Sequence, residues 1–126
     1  MRHWWKRRRL EKQYEDDLRE LVRTVDASNE RKARLAKRYG VEAMDGLILL
    51  LPYDGAPFHR PVLLEQWVAQ IERLAAVQRH MKAQVDVLRH VEQTEQWSDR
   101  AERIVTTPSL VKFPSRFVWK ESGWSG

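Results

Sequence analysis

Apolar residues recur along the first third of the chain at heptad spacing. Counted from Trp4, positions 4, 7, 11, 14, 18, 21, 25, 28, 32, 35 and 39 hold Trp, Arg, Glu, Tyr, Leu, Leu, Val, Ser, Lys, Leu and Tyr, of which seven are apolar or aromatic. Such spacing lines one stripe of a helix. It predicts a helix over about 4–39, closed by Gly40, where glycine readily takes the left-handed backbone that ends helices. Asp26-Ala-Ser-Asn29 is the weak stretch, because these side chains compete for backbone hydrogen bonds. A kink or a fresh N-cap there is the alternative to an unbroken rod.

A second stripe is cleaner. Positions 64, 67, 71, 74, 78, 81, 85 and 88 are Leu, Trp, Ile, Leu, Gln, Met, Val and Leu, so only Gln78 interrupts it. Pro61 suits a first helical turn, where its missing N–H is not needed, and Thr106-Thr107-Pro108 supplies a stop, which predicts a helix over about 61–105. Past Leu88 the apolar phase moves to Val91, Thr94, Ala101 and Ile104, implying a change of supercoil or partner. Trp67 and Met81, both on the stripe, read as core.

The stretch 40–60 between the helices exceeds the roughly 2–8 residues usual for packed helices, so it must carry structure of its own. Its apolar run Leu47-Ile-Leu-Leu-Leu51 is the candidate, as a buried helical turn or a strand, with Asp54-Gly55 turning after it. The tail alternates with a period of two, Lys112, Arg116 and Lys120 on one face and Phe113, Phe117 and Trp119 on the other. Either it pairs with 47–51 or it forms an arm laid on a neighbouring subunit. The class predicted is therefore mainly α: a long antiparallel helical hairpin, coiled-coil-like, over 1–105, with a structured apolar connection and an extended aromatic and basic arm over 106–126.

Charge changes this picture in one respect. The net charge is +5 over 126 residues, delivered in blocks: residues 1–9 carry +5, residues 31–39 another +5, and residues 10–30 a net of −4. An antiparallel register that sets Tyr39 beside Leu64 makes paired numbers sum to about 103. It brings bases 31–38 against Glu65 and Glu72, acids 11–20 near Lys82, Arg89 and His90, and bases 2–9 near Glu95, Asp99 and Glu102. All three blocks match in sign. Exposed pairs contribute only ~0.2–1 kcal/mol each, so charge would select orientation more than supply stability. The same register sets Ser28 near Gln78 as a polar layer able to fix alignment.

Chemistry is sparse. There is no cysteine, so no disulfide, thiolate site or thiol nucleophile. The basic start lacks the apolar stretch of an export signal, and the longest apolar run is far below the ~20 residues that span a bilayer, which points to an intracellular place or one inside a larger assembly. His80 and His90 are ten positions apart, ~15 Å along a helix, too far to share a metal ion. Glu15, Asp16, Asp17 and Glu20 suit a hard cation on paper, but a solvated acidic face is the plainer reading. No catalytic, metal or cofactor residue is assigned, and no small-molecule substrate is expected.

Two groups of residues are candidates for contact with other molecules. Arg2, Trp4, Trp5, Lys6, Arg7, Arg8 and Arg9, with Arg31, Lys32, Arg34, Lys37 and Arg38 and the tail's Lys112, Arg116 and Lys120, suit an anionic surface. Cations would neutralise phosphates while tryptophans stack on bases. The same set fits an anionic membrane, with tryptophan at the headgroup level. In the third reading Trp4 continues the seam and the cations meet acids of the second helix. Leu47, Ile48, Leu49, Leu50, Leu51, Val91, Ile104, Phe113, Phe117 and Trp119 are the candidate assembly interface, because two helices share one seam and leave other apolar surface to cover. The function expected is a non-catalytic structural subunit of a multi-chain assembly, such as a nucleoprotein or virion, with protein partners or copies of itself and with nucleic acid through the basic blocks. The alternative is a peripheral membrane or adaptor protein.

Overall fold

The computed structural model describes residues 2–50 and 64–112. Of the residues singled out above, Leu51, the turn at Asp54-Gly55, the helix start at Pro61, Phe113, Arg116, Phe117, Trp119 and Lys120 lie outside the described residues, as do the side chains of Arg2, Leu49, Leu50 and Lys112. Five elements follow in order: α1 (Arg2–Tyr39), β1 (Leu47–Leu50), α2 (Leu64–Thr94), α3 (Asp99–Thr106) and β2 (Ser109–Lys112). The protein is mainly α, and two long helices packed along their length organise it.

Helix α1 is unbroken through Asp26-Ala-Ser-Asn29, because Ser28 is buried on the seam and packing there outweighs local propensity. Gly40 closes it in the left-handed region, φ 71°. The seam positions of α1 from Tyr14 to Tyr39 and those of α2 from Leu64 to Leu88 are all buried or half-buried, so the heptad stripe is the packed face. Trp67 and Met81 are core residues.

The sense of packing corrects the sequence expectation. Contacts between the helices climb in number together. Tyr14 meets Trp67, Leu21 packs with Leu74 and Val77, Gln78 donates to Thr24 Oγ1 at 2.8 Å, Leu35 packs with Leu88 and Val91, and Arg31 pairs with Glu92 at 2.8 Å. The helices therefore run the same way, offset by about 53–61 in residue number across those pairs. The predicted antiparallel register fails, and so do the charge matches it produced. The layer expected between Ser28 and Gln78 does not form either: Gln78 bonds Thr24, and the buried Ser28 hydroxyl has no partner among the described residues.

Same-way packing also explains the long connection. A tight turn returns the chain at the end it has just reached, whereas parallel rods need a crossover along their length. From the end of α1 to the level of the start of α2 is ~40 Å at 1.5 Å per residue. Residues 40–63 can reach ~80 Å when extended at ~3.3 Å each, which is ample.

The strands lie on that return path. β1 and β2 form a two-stranded parallel sheet in the register Leu47↔Ser109, Ile48↔Leu110, Leu49↔Val111 and Leu50↔Lys112. They run against the helices: Ser109 bonds Gln84, while Val111, two residues on, packs at Leu74, Val77 and Met81. Alternation turns Leu47, Ser109 and Val111 toward the helices and Ile48 and Leu110 outward. Part of the predicted arm is thus built into the body.

The second helix also ends earlier than its pattern suggests. It stops at Thr94, where Glu95 takes a left-handed backbone, φ 58°, and its N–H bonds the Val91 carbonyl. Ser98 then caps α3, accepting from the Ala101 N–H at 3.1 Å. The phase change past Leu88 marks this break and turn. It folds α3 back so that Ala101 and Val105 close a core with Leu35, Ala36, Leu88 and Val91, while a second core lies around Leu21, Leu74, Val77, Met81 and Val111. Burying each of the leucine, valine and methionine side chains contributes roughly 1.5–3 kcal/mol before chain entropy is charged against it.

Candidate functional site

The two basic blocks of α1 have different fates. In the second, Arg31 and Arg34 both reach Glu92, at 2.8 and 3.4 Å, and Arg38 reaches Glu95 at 2.5 Å, so these cations clamp α1 to the end of α2. Lys32 is buried completely. Its ammonium donates to the Met44 carbonyl at 3.2 Å and the Thr107 carbonyl at 3.0 Å, the residues just ahead of β1 and β2. Burial lowers its pKa, an effect partly offset by Asp45. Of this block, Lys37 alone among the described residues is exposed without a described ion pair. Of the four read from the sequence as an anionic-surface contact, Lys32 is internal and Arg31 largely covered, while Arg34 and Arg38 are paired within the chain yet keep 55% and 45% of their side chains exposed. A lysine on a seam between packed helices was the available sign.

The first block stands differently. Tyr14 of α1 meets Trp67 near the start of α2, ring centroids 5.6 Å apart at 76°, so residues 2–10 of α1 extend beyond the level at which α2 begins. Trp4 and Trp5 are 53% and 64% exposed, which removes Trp4 from the seam and excludes the reading in which it continues the core stripe. The two indoles meet edge to face at 4.6 Å, and the Arg8 guanidinium lies 5.9 Å from the Trp4 ring centre. Arg7 is held by Glu11 at 3.2 Å. The acids expected opposite this block sit at the other end of the molecule, where Glu95 serves Arg38. An open groove runs along this face, lined by Trp5, Arg8, Arg9, Glu11, Lys12 and then Glu15, Asp16 and Arg19.

The acidic row is locally satisfied. Arg19 lies 3.1 Å from Asp16 and 3.9 Å from Glu15, and Arg23 lies 2.7 Å from Glu20. Asp17 is the partly buried member, and burial raises its pKa, with Asp16 adding to the shift. Among the described residues no three His or acidic side chains gather in a metal-binding arrangement.

The apolar candidates also divide. Val91 is a core residue and Ile104, half-buried, packs against the same core, so the apolar part of the shifted stripe is covered from within by α1 and α3. Leu47 faces the helices. Ile48 is 46% exposed, and its register neighbour Leu110, which the sequence pattern did not single out, is 41% exposed. Knowledge of the pairing is what joins them. Among the described residues no helix is long and apolar enough to cross a membrane. Comparison with protein-family models, curated proteins and solved structures finds no match to this chain.

Proposed function

We propose that the chain is a non-catalytic structural subunit of a multi-chain assembly, of nucleoprotein or virion kind. Copies meet through the outer face of the β1–β2 sheet, and the projecting end of α1 neutralises nucleic acid. The observation that carries the assembly reading is the exposed pair Ile48 and Leu110 on a parallel sheet. Parallel strands occur almost only where both faces are covered. Here the helices cover one face, and the other presents adjacent aliphatic side chains with no third strand beside them among the described residues. Exposed strand edges of this kind are templates for further pairing.

Light scattering of the full chain tests this. A mass at a multiple of 15.1 kDa is expected, falling to the single-chain value when Ile48→Lys and Leu110→Lys are combined with helicity retained. A wild-type chain that stays monomeric at ~100 μM, a concentration at which a micromolar contact would be occupied, overturns the reading. The competing role at an anionic membrane draws on the same exposed Trp4 and Trp5 beside their cations.

A further inference from the structure

The face that α1 turns away from α2 at its N-terminal end combines cations and indoles in one strip. At 3.6 residues per turn, Trp4, Arg8, Lys12, Trp5 and Arg9 fall within an arc of ~140°, rising ~12 Å from Trp4 to Lys12. The opposite side carries Leu10 and Tyr14, and Tyr14 is spent on Trp67. Trp5, Arg8, Arg9 and Lys12 line a continuous open groove. Glu11, Glu15 and Asp16 in the same groove would repel an anion, but Arg7 holds Glu11 and Arg19 stands against the other two.

From this arrangement we infer that the strip Trp4, Trp5, Arg8, Arg9 and Lys12 binds single-stranded nucleic acid, indoles stacking on unpaired bases and cations meeting the adjoining phosphates. Three features favour this occupant. A duplex hides its base faces, so two exposed indoles gain nothing there beyond what the cations gain, whereas every unpaired base offers a face to stack on. A membrane-surface helix segregates a broad apolar face from a basic one. Here the indoles share their face with the cations, and Tyr14 on the opposite side is taken up by Trp67 of α2. The Arg8 guanidinium already lies near the Trp4 ring, which holds a cation beside a stacking surface. The inference rests on the nucleic-acid part of the proposed function and is independent of whether copies associate.

The test is fluorescence anisotropy with the full chain and a labelled oligo(dT) of about 20 nucleotides, a length of more than one ~4–16-nucleotide site, against a mixed-sequence duplex of equal length. Flotation on vesicles of phosphatidylcholine with phosphatidylserine runs alongside. Oligo(dT) binding at least about tenfold tighter than duplex binding is expected. Trp4→Ala with Trp5→Ala weakens it about tenfold or more, since each stacked base is lost separately. Arg8→Gln, Arg9→Gln and Lys12→Gln together flatten the slope of log affinity against log salt by about 2, at ~0.7 per phosphate contact. These residues are exposed or project past α2, so circular dichroism verifies that the variants fold. Equal binding to duplex and single strand, untouched by the tryptophan changes, overturns the single-strand inference while leaving general phosphate contact standing. Vesicle binding that needs the tryptophans, with no oligonucleotide bound, overturns both, as does binding of neither.

Discussion

Replacing Lys32 probes how the sheet is fastened to the helices. Its ammonium is buried and donates to the carbonyls of Met44 and Thr107, so one side chain of α1 holds the entry to both strands. Hydrogen bonds from a charged donor contribute ~1.5–3 kcal/mol each, so two are worth ~3–6. Relief from burying the ammonium offsets several kcal/mol of that loss. Lys32→Met keeps most of the aliphatic stem and should destabilise by ~2 kcal/mol, the difference of those two effects. Lys32→Ala removes about three further methylene-sized groups at ~0.8 kcal/mol each and should destabilise by ~4 kcal/mol. Urea unfolding followed by circular dichroism, with slopes equal across variants, measures both. Burial places the folded-state pKa below the ordinary lysine value of 10.5. Between those two values the unfolded chain binds more protons than the folded one. Wild-type stability measured against Lys32→Met must therefore rise with pH through that window and stay level below it. Lys32→Met within ~0.5 kcal/mol of wild type, the range of an ordinary surface change, would refute the bolt. A difference that falls as pH approaches 10.5 would refute the burial account of its charge.

Two further outcomes are expected. The chain has no cysteine, so paired cysteines report geometry cleanly: Arg31→Cys with Glu92→Cys should be joined by a short bis-maleimide, whereas Arg31→Cys with Glu72→Cys should not, because Glu72 lies ~30 Å further along α2. The reverse result would restore the antiparallel arrangement. Glu95→Gly should raise stability by about 0.5–1 kcal/mol in the same urea assay, since relief at a left-handed position exceeds the loss of one exposed pair with Arg38, and a loss above ~1 kcal/mol would show the ion pair to be the stronger effect.

How much of this could be read in advance differs from element to element. The two long helices, their buried stripes, the core places of Trp67 and Met81 and the closure at Gly40 follow from periodicity and one glycine, because a 3.6-residue repeat constrains each helix locally. The break at Glu95 was hidden because the left-handed position carries no glycine; Ser98, three residues before the Ala101 N–H it accepts, was the sign available. Candidate sites fared unevenly for the same reason. Trp4, Trp5, Arg8 and Arg9 stay exposed, whereas Lys32 is drawn inward by two backbone carbonyls, and Arg31, Arg34 and Arg38 are paired by Glu92 and Glu95, far away in the chain.

Direction was beyond any local pattern. A stripe of leucines and valines buries its area equally well against a partner running either way, and weak exposed ion pairs matched an orientation that does not occur. The β1–β2 pair that runs back along the helices and the bolt of Lys32 across both strand entries fasten the two helices side by side in the same sense. Each of these joins residues remote in sequence, and their free energy exists only once the chain has closed around them.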